Sequence, residues 1–239
     1  MTQIADTNVI LHSLLSKRLA DLIIEIYPQL IGKKGKNILL FSVGAELEEK
    51  LLDLNWWVIK IAFDLKRARK IGTFLENPRY LVLGQRFPEF YSCLKTIISE
   101  KHDKVLLGSF LEFVWEDLKA IEKFRKRGEA LFPPVENEFH DLKEQKAFRE
   151  IAERLRSANL GGVGNKDIEH LALSHCYIIQ SKMRARFYTA DKEISRHANS
   201  VKISSMIPDL EIYKVEFKMM EFNEEAIKRF APHLGAKGN

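Results

Sequence analysis

The stretch from Ile4 to Leu11 constrains the fold most. It contains a very short apolar run that is followed by an acid and then by the start of a predicted amphipathic helix. Apolar residues there recur at three- and four-residue spacing and predict a helix from about Val9 to Tyr27. A strand that leads directly into a helix is typical of α/β folds, whose ligands bind at the carboxyl ends of parallel strands. Asp6 is therefore a candidate metal or substrate ligand, and the structural alternative is that it only caps the helix.

A second strand and helix are predicted soon afterwards. The apolar run at residues 37–42 follows a basic glycine-containing turn and indicates a short, buried strand. The next helix carries leucines on one side and Glu46, Glu48 and Glu49 on the rest. Acids in a first helical turn are candidate ligands and are also ordinary partners of the helix dipole.

The carboxy-terminal half again places acids beside strand and helix ends. Asp167 follows a glycine-rich turn and opens a predicted helix, and residues 184–189 indicate a strand that ends at Asp191. A last core strand is predicted at residues 200–204. Residues 210–230 indicate one more strand and a helix outside the core, which either pair with a neighbouring chain or extend the sheet edge.

The middle of the chain is predicted to be helical. Amphipathic patterns indicate helices at about residues 90–98, 105–124 and 140–158, separated by proline-containing breaks. We interpret this region as an elaboration on the α/β core.

The composition is compatible with a polyanionic partner. The chain has 239 residues and a net charge of +5, which suits one large domain or one domain carrying an insertion. Basic clusters lie at residues 66–70 and 123–127, and they either form solvated helix faces or follow a phosphate backbone.

Cysteine usage and hydropathy indicate a cytoplasmic protein. Cys93 and Cys176 lie far apart without neighbouring ligand residues, so neither a zinc site nor a disulfide framework is predicted. No apolar run reaches the roughly 18 residues that a membrane span requires. We therefore expect no membrane segment and no membrane partner.

Asp6, Asp167 and Asp191 are predicted to converge at one edge of the sheet. Each lies where a strand ends or a helix begins, and parallel strands bring those ends to the same side. Carboxylates a few ångströms apart destabilise one another unless a cation compensates them. Oxygen ligands without a thiolate favour Mg²⁺ or Mn²⁺ over zinc, so we expect one of these ions here.

Three short motifs carry a family resemblance. D-T-N-V beginning at Asp6, G-x-x-D ending at Asp167 and T-x-D ending at Asp191 together resemble the PIN-domain ribonucleases, a family that includes bacterial and archaeal toxin nucleases. The resemblance covers roughly residues 1–50 and 160–206. The intervening segment is longer than in the family's compact form.

The resemblance implies a PIN-like, three-layer α/β/α fold with a central parallel sheet, a helical insertion and a C-terminal extension. On this hypothesis residues 1–206 form the nuclease domain and residues 53–158 form the helical insertion within it. Residues 207–239 then form a strand and helix extension.

The implied activity is that of a metal-dependent endoribonuclease, which hydrolyses RNA phosphodiester bonds with water. The resemblance assigns metal binding and catalysis to four acids: Asp6, Glu46, Asp167 and Asp191. Glu46 is preferred on the second helix because the family shows a single Glu followed by Leu, and Glu49 is the alternative register. Asn8 and Thr189 are expected to orient the carboxylates.

Two other functions are alternatives. A catalytically weak PIN-like module would bind RNA or protein through the same fold. A metal-dependent phosphatase would use a similar sheet but commonly has a second acid two residues after the nucleophile, where this chain has Asn8. RNA is the expected partner, and the resemblance also allows a homo-oligomer or a protein regulator. His170 and His175 are interpreted as surface or core residues rather than ligands.

Overall fold

The computed structural model describes residues 2–11, 24–25, 36–38, 40–67, 78–101, 104–126, 146–215 and 218–219. Most of these residues are helical, and a small parallel sheet lies among them, which is an α/β arrangement. The chain divides into two compact units. Unit 1 contains Met1–Leu14, Ile26–Glu48 and Gly128–Phe217, and unit 2 contains Leu15–Glu25, Glu49–Arg127 and Lys218–Asn239.

The strands are short and the helices are of very different lengths. The strands are β1 (Thr2–Ala5), β2 (Ile24–Glu25), β3 (Lys36–Ile38), β4 (Ala185–Thr189), β5 (Leu210–Lys214) and β6 (Lys218–Met219). The helices are α1 (described at residues 7–11), α2 (Phe41–Arg67), α3 (Arg79–Arg86), α4 (Pro88–Thr96), α5 (Lys104–Lys126), α6 (Lys146–Ser157), α7 (Asn165–Ser181), α8 (Lys192–Ser195) and α9 (His197–Met206).

The main sheet has the strand order β3-β1-β4-β5, and every neighbouring pair is parallel. Ile4 lies opposite Phe187, and both side chains are 0% exposed, as expected for strands covered on both faces. The chain adds β3 on one side of β1 and later adds β4 on the other. Ligands of α/β folds bind where strand order reverses in this way, and we refer to the region at the carboxyl ends of β1 and β4 as the crevice.

Helices α6 and α7 supply most of the helical part of the unit 1 core. In α6 the buried residues are Ile151, Ala152 and Leu155, which share one face at helical spacing. In α7 the buried face includes Leu171 and Ala172, both 0% exposed, and α7 packs against α6 and the sheet. This packing fixes the helix whose first turn carries Asp167.

The described residues of unit 2 are helical apart from one strand pair. Strands β2 and β6 pair in antiparallel fashion, with Ile24 opposite Met219. Helix α4 begins at Pro88, and proline is tolerated there because the first N–H of a helix has no partner within the helix. The helix continues into a π-helical turn at Ile97–Lys101. No helix among the described residues is long and apolar enough to cross a membrane.

Several predicted elements are confirmed and three are wrong at some of their residues. The strand predicted at residues 37–42 is wrong at residues 41–42, which begin α2, whereas residues 37–38 lie in β3. The helices predicted at 90–98, 105–124 and 140–158 correspond to α4, α5 and α6, although residues 140–145 lie outside the described part. The helix predicted to reach Tyr27 is wrong at residues 24–25, which form β2. The β-branched pair Ile23-Ile24 favours a strand there and outweighs the helical spacing.

The strand predicted at residues 200–204 is also wrong, because these residues belong to α9. Alternation around Val201 looks strand-like, but Val201 is 53% exposed. The residues that are buried are Asn199, Ile203 and Ile207, which lie four apart and so share one helix face.

The strand predicted after residue 209 is β5, and it belongs to the main sheet. It pairs along its length with β4, so the sheet-edge alternative is the correct one. The helix predicted within residues 222–230 lies outside the described residues.

We expect Phe187→Ala to lower the free energy of unfolding by about 3–5 kcal/mol, because Phe187 is 0% exposed at the centre of the sheet. Tyr213→Ala on the neighbouring strand is the matched control. Tyr213 is 41% exposed, so we expect a loss of about 1 kcal/mol or less. Urea unfolding measures both values, and equal losses would contradict the position of the core.

Candidate active site

Asp6 lies where β1 passes into α1. Its N–H donates to the Tyr188 carbonyl oxygen at 2.8 Å, which extends the strand ladder by one residue. Its own carbonyl oxygen accepts the Ile10 N–H at 3.1 Å and so begins the helix. The side chain is buried, and its Oδ1 accepts the Thr7 N–H at 2.7 Å. Backbone hydrogen bonds therefore fix Asp6 both to the strand that precedes it and to the helix that follows it.

Thr189 connects Asp6 to the end of β4. Because Ala5 lies opposite Tyr188, the parallel register places Thr189 beside Asp6. The buried Thr189 hydroxyl donates to Asp6 Oδ2 at 2.9 Å and accepts the Asp191 N–H at 3.0 Å. One hydroxyl thus bonds to the two acids that follow neighbouring strands.

Asp191 caps α8. Its Oδ1 accepts the N–H groups of Glu193 at 2.6 Å and Ile194 at 3.0 Å. This is an ordinary N-cap arrangement, and it holds the carboxylate at the crevice beside Thr189.

The turn before α7 positions Asp167. Asp167 Oδ2 accepts the Gly164 N–H at 2.9 Å, and a Cβ at residue 164 would lie only 3.2 Å from that oxygen. The buried Asn199 amide donates to the carbonyl oxygens of Gly161 at 3.1 Å and Glu193 at 2.7 Å. Asn199 therefore ties the turn that carries Asp167 to the helix that Asp191 caps. The sequence analysis missed this residue.

Glu46 reaches the same region from the first turns of α2. Its Oε2 accepts the Thr7 hydroxyl at 3.0 Å, and Thr7 is itself fully buried beside Asp6. Glu49 is exposed. Of the two registers considered for the second-helix acid, Glu46 is the one whose carboxylate bonds to a residue next to Asp6.

His170 lies between two of the acids. It is 1% exposed, its Nδ1 lies 3.6 Å from Asp6 Oδ1 and its Nε2 lies 3.5 Å from Glu46 Oε2. The expectation that it is a core residue is correct, but its place among the acids was missed. The signal was present: His170 follows Asp167 by three positions, so both lie on one face of α7.

The acids differ in their electrostatic environments. Burial alone would raise the pKa of Asp6, but the His170 imidazole and hydrogen bonds from Thr189 and Thr7 outweigh it and hold that pKa below its usual value. Burial and the negative charges of Asp6 and Asp191 raise the pKa of Asp167 to about 6, against a hydrogen bond from Gly164. Asp6, Asp167 and Asp191 therefore lie within electrostatic range of one another.

The donor chemistry fits a divalent cation. Carboxylate oxygens surround the crevice, and the excess negative charge that perturbs Asp167 is what a cation would neutralise. Among the described residues no group of three or more His, Cys, Asp or Glu side chains is arranged to hold a metal ion. Asp167 and Asp191 instead direct oxygens to backbone N–H groups, so metal binding requires these two carboxylates to rotate.

No protein-family model, curated protein or solved structure matches this chain. Asn8 is half-buried next to Thr7, and its predicted orienting role stays a prediction.

We expect Thr189→Val to cost about 1–3 kcal/mol of unfolding free energy, because it removes hydrogen-bond partners from buried Asp6 Oδ2 and from the Asp191 N–H. Thr2→Val is the matched control: Thr2 is equally buried, but its hydroxyl lies 4.0 Å from the Met183 sulfur. We expect that variant to change stability by about 0.5 kcal/mol or less. Equal losses in urea unfolding would show that the Thr189 hydroxyl is unimportant.

We expect Asp167→Asn to stabilise the metal-free protein at pH 8 by about 1 kcal/mol, after allowance for solvent screening. The folded-state pKa of about 6 lies above the ordinary 3.8, so the stability that protonation contributes is present below pH 3.8 and lost as the pH rises through 6. An amide never ionises and avoids this loss.

Urea unfolding with a chelator, at pH 8 and at pH 4.5, measures this effect. The gain from Asp167→Asn should shrink at the lower pH, where the wild-type carboxyl is largely protonated. A gain that is equal at both values, or larger at pH 4.5, would contradict the assigned repulsion.

Proposed function

We propose that this protein is a metal-dependent endoribonuclease with a PIN-like fold. The observation that carries the proposal is the electrostatic coupling of three acids, since Asp6 and Asp191 both help to raise the pKa of Asp167 to about 6. The strand order supports this location, because the acids follow β1 and β4 where the sheet changes direction. The three sequence motifs that resemble the family lie at this same edge.

The four acids have distinct parts in this proposal. Asp6 is the fixed ligand, because the Thr7 N–H and the Thr189 hydroxyl hold its carboxylate and help to keep it ionised. Asp167 and Asp191 complete the site by turning from their backbone donors, and Glu46 contributes from α2 beside Thr7.

If these carboxylates held Mg²⁺ or Mn²⁺, the ion would lower the pKa of a bound water and would offset charge that grows on the scissile phosphate. The protein's own contribution is to hold the carboxylates in place before the cation binds. Thr189 does so for Asp6 and Asp191 together, and Asn199 does so for the turn before Asp167. A net charge of +5 supports a polyanionic substrate such as RNA.

A binding module on the same fold is the second candidate. It is favoured by the side-chain positions of Asp167 and Asp191, whose hydrogen bonds to helix N-termini give both acids a structural role without metal. In that case the protein would bind RNA without cutting it.

We expect the purified protein to cleave mixed-sequence single-stranded RNA with Mn²⁺ or Mg²⁺ and not with a chelator. Asp6→Asn and Asp167→Asn should each reduce the cleavage rate at least about 100-fold, because each removes a charged metal ligand. Asp209→Asn is the control, since Asp209 is an exposed acid paired with Arg184 at 3.3 Å. It should cut like the wild type.

The two candidate functions predict different results. Metal-dependent cutting that is lost in both site variants supports the nuclease. RNA binding without cutting, unchanged by metal and by Asp6→Asn, would support the binding module instead.

A further inference from the structure

The buried imidazole of His170 has a polar atom with no hydrogen bond. Within the part of the chain that the structure describes, Nδ1 is fully buried and has no hydrogen-bond partner. Its nearest acid, Asp6 Oδ1, is 3.6 Å away, which is beyond hydrogen-bond distance. A buried polar atom without a hydrogen bond destabilises the folded protein, and such atoms are rare unless they have a role.

The two carboxylates beside the imidazole are held by Thr7. Its N–H donates to Asp6 Oδ1 at 2.7 Å, and its hydroxyl donates to Glu46 Oε2 at 3.0 Å. Neither oxygen is therefore free to turn toward the ring and close the gap. The distances from Nδ1 to Asp6 Oδ1, 3.6 Å, and from Nε2 to Glu46 Oε2, 3.5 Å, therefore follow from the fold around Thr7 and not from one mobile side chain.

A neutral imidazole has one N–H and one lone pair. A cation bound here would replace any proton on Nδ1: with the N–H on Nε2, next to Glu46, the Nδ1 lone pair points toward Asp6 Oδ1. Two acceptors that face each other attract a cation. A carboxylate on one ring nitrogen and a metal on the other is also the usual environment of a metal-bound histidine.

The distance agrees with this interpretation. Two ligands that each lie about 2.1 Å from one ion are separated by about 3.0–3.4 Å, depending on the angle between them. The Nδ1 to Oδ1 distance of 3.6 Å is slightly longer than that range and longer than a hydrogen bond, so a small rotation of the ring would bring both atoms to one ion.

We propose that His170 Nδ1 is a metal ligand that shares one ion with Asp6, and that this nitrogen makes the site prefer Mn²⁺ over Mg²⁺. The inference rests on the proposed metal-dependent function and adds a fifth residue to its four acids. Carboxylate oxygens alone suit Mg²⁺, whereas imidazole nitrogen suits transition metals, so one nitrogen shifts the preference. Glu46 Oε2 then orients the ring as well as belonging to the acidic set.

Pulsed electron paramagnetic resonance of the Mn²⁺-loaded protein tests this directly, because it detects a nitrogen bound to the ion without any measurement of cleavage. We expect an imidazole nitrogen coupling in the wild type, and its replacement by the ¹⁵N coupling when the protein is labelled with ¹⁵N-histidine. His170→Asn should abolish the coupling and weaken Mn²⁺ binding about tenfold or more, while Mg²⁺ binding changes much less.

His175→Asn is the matched control. His175 lies on the same helix α7, is half-buried and has an Nδ1 without a hydrogen bond, but it faces Arg154 rather than the acids. This variant should keep the coupling and the Mn²⁺ affinity. If His170→Asn fails to fold, the wild-type spectrum still tests the proposal, because the absence of a histidine nitrogen coupling rejects His170 as a ligand.

The outcomes separate the two proposals. Wild-type protein that binds Mn²⁺ with no nitrogen coupling would overturn the assignment of His170 and leave the carboxylate nuclease site intact. Wild-type protein that binds neither Mn²⁺ nor Mg²⁺ in calorimetry would overturn both. A coupling that persists in His170→Asn would also reject His170 as the ligand.

Discussion

The parallel pairing of β1 with β4 is the interaction on which the site depends. It places residues 2–5 against residues 185–188, and the next residue on each strand, Asp6 and Thr189, is then brought into hydrogen-bond contact. Strand β3 lies on one side of this pair and β5 on the other, so the pair is internal to the sheet. A rigid, buried pair of strands gives the carboxylate of Asp6 a single orientation.

The carboxylates at the crevice differ in how well neighbouring groups stabilise their negative charges. Asp6 is stabilised in its ionised form by neighbouring donors, whereas Asp167 experiences repulsion from Asp6 and Asp191 that those donors do not relieve. Such an arrangement lowers stability in the absence of a cation, as is common where a fold is organised for binding rather than for stability alone. His170 is the one basic side chain that the structure places between Asp6 and Glu46 within the described residues.

The α/β class and the positions of the acids could be predicted from the sequence because both follow from local pattern. Asp6, Asp167 and Asp191 each lie beside an apolar run or a turn that marks a strand or helix end, and the structure places each at such an end. Helix α5 was predicted for the same reason, since its periodicity extends over many turns.

What could not be predicted depends on tertiary contacts. Residues 200–204 alternate like a strand, but burial of Asn199 and Ile203 against distant elements makes them a helix. To predict the position of His170 among the acids, one would need to know which face of α7 packs against the sheet. Asn199 donates to the backbone carbonyl oxygens of Gly161 and Glu193. The sequence does not show which backbone carbonyl oxygens will lie near a given side chain.

The pairing of β1 with β4 also determines when the site can form during protein synthesis. Asp6 and Thr189 are 183 positions apart, so the hydrogen bond between them awaits translation of most of the chain. At roughly 5–20 residues per second, the amino-terminal acid waits on the order of 10–40 s for its partners. During that interval the nascent chain carries Asp6 without the strand that orients it, and whatever chemistry the assembled crevice performs is withheld until β4 has been made.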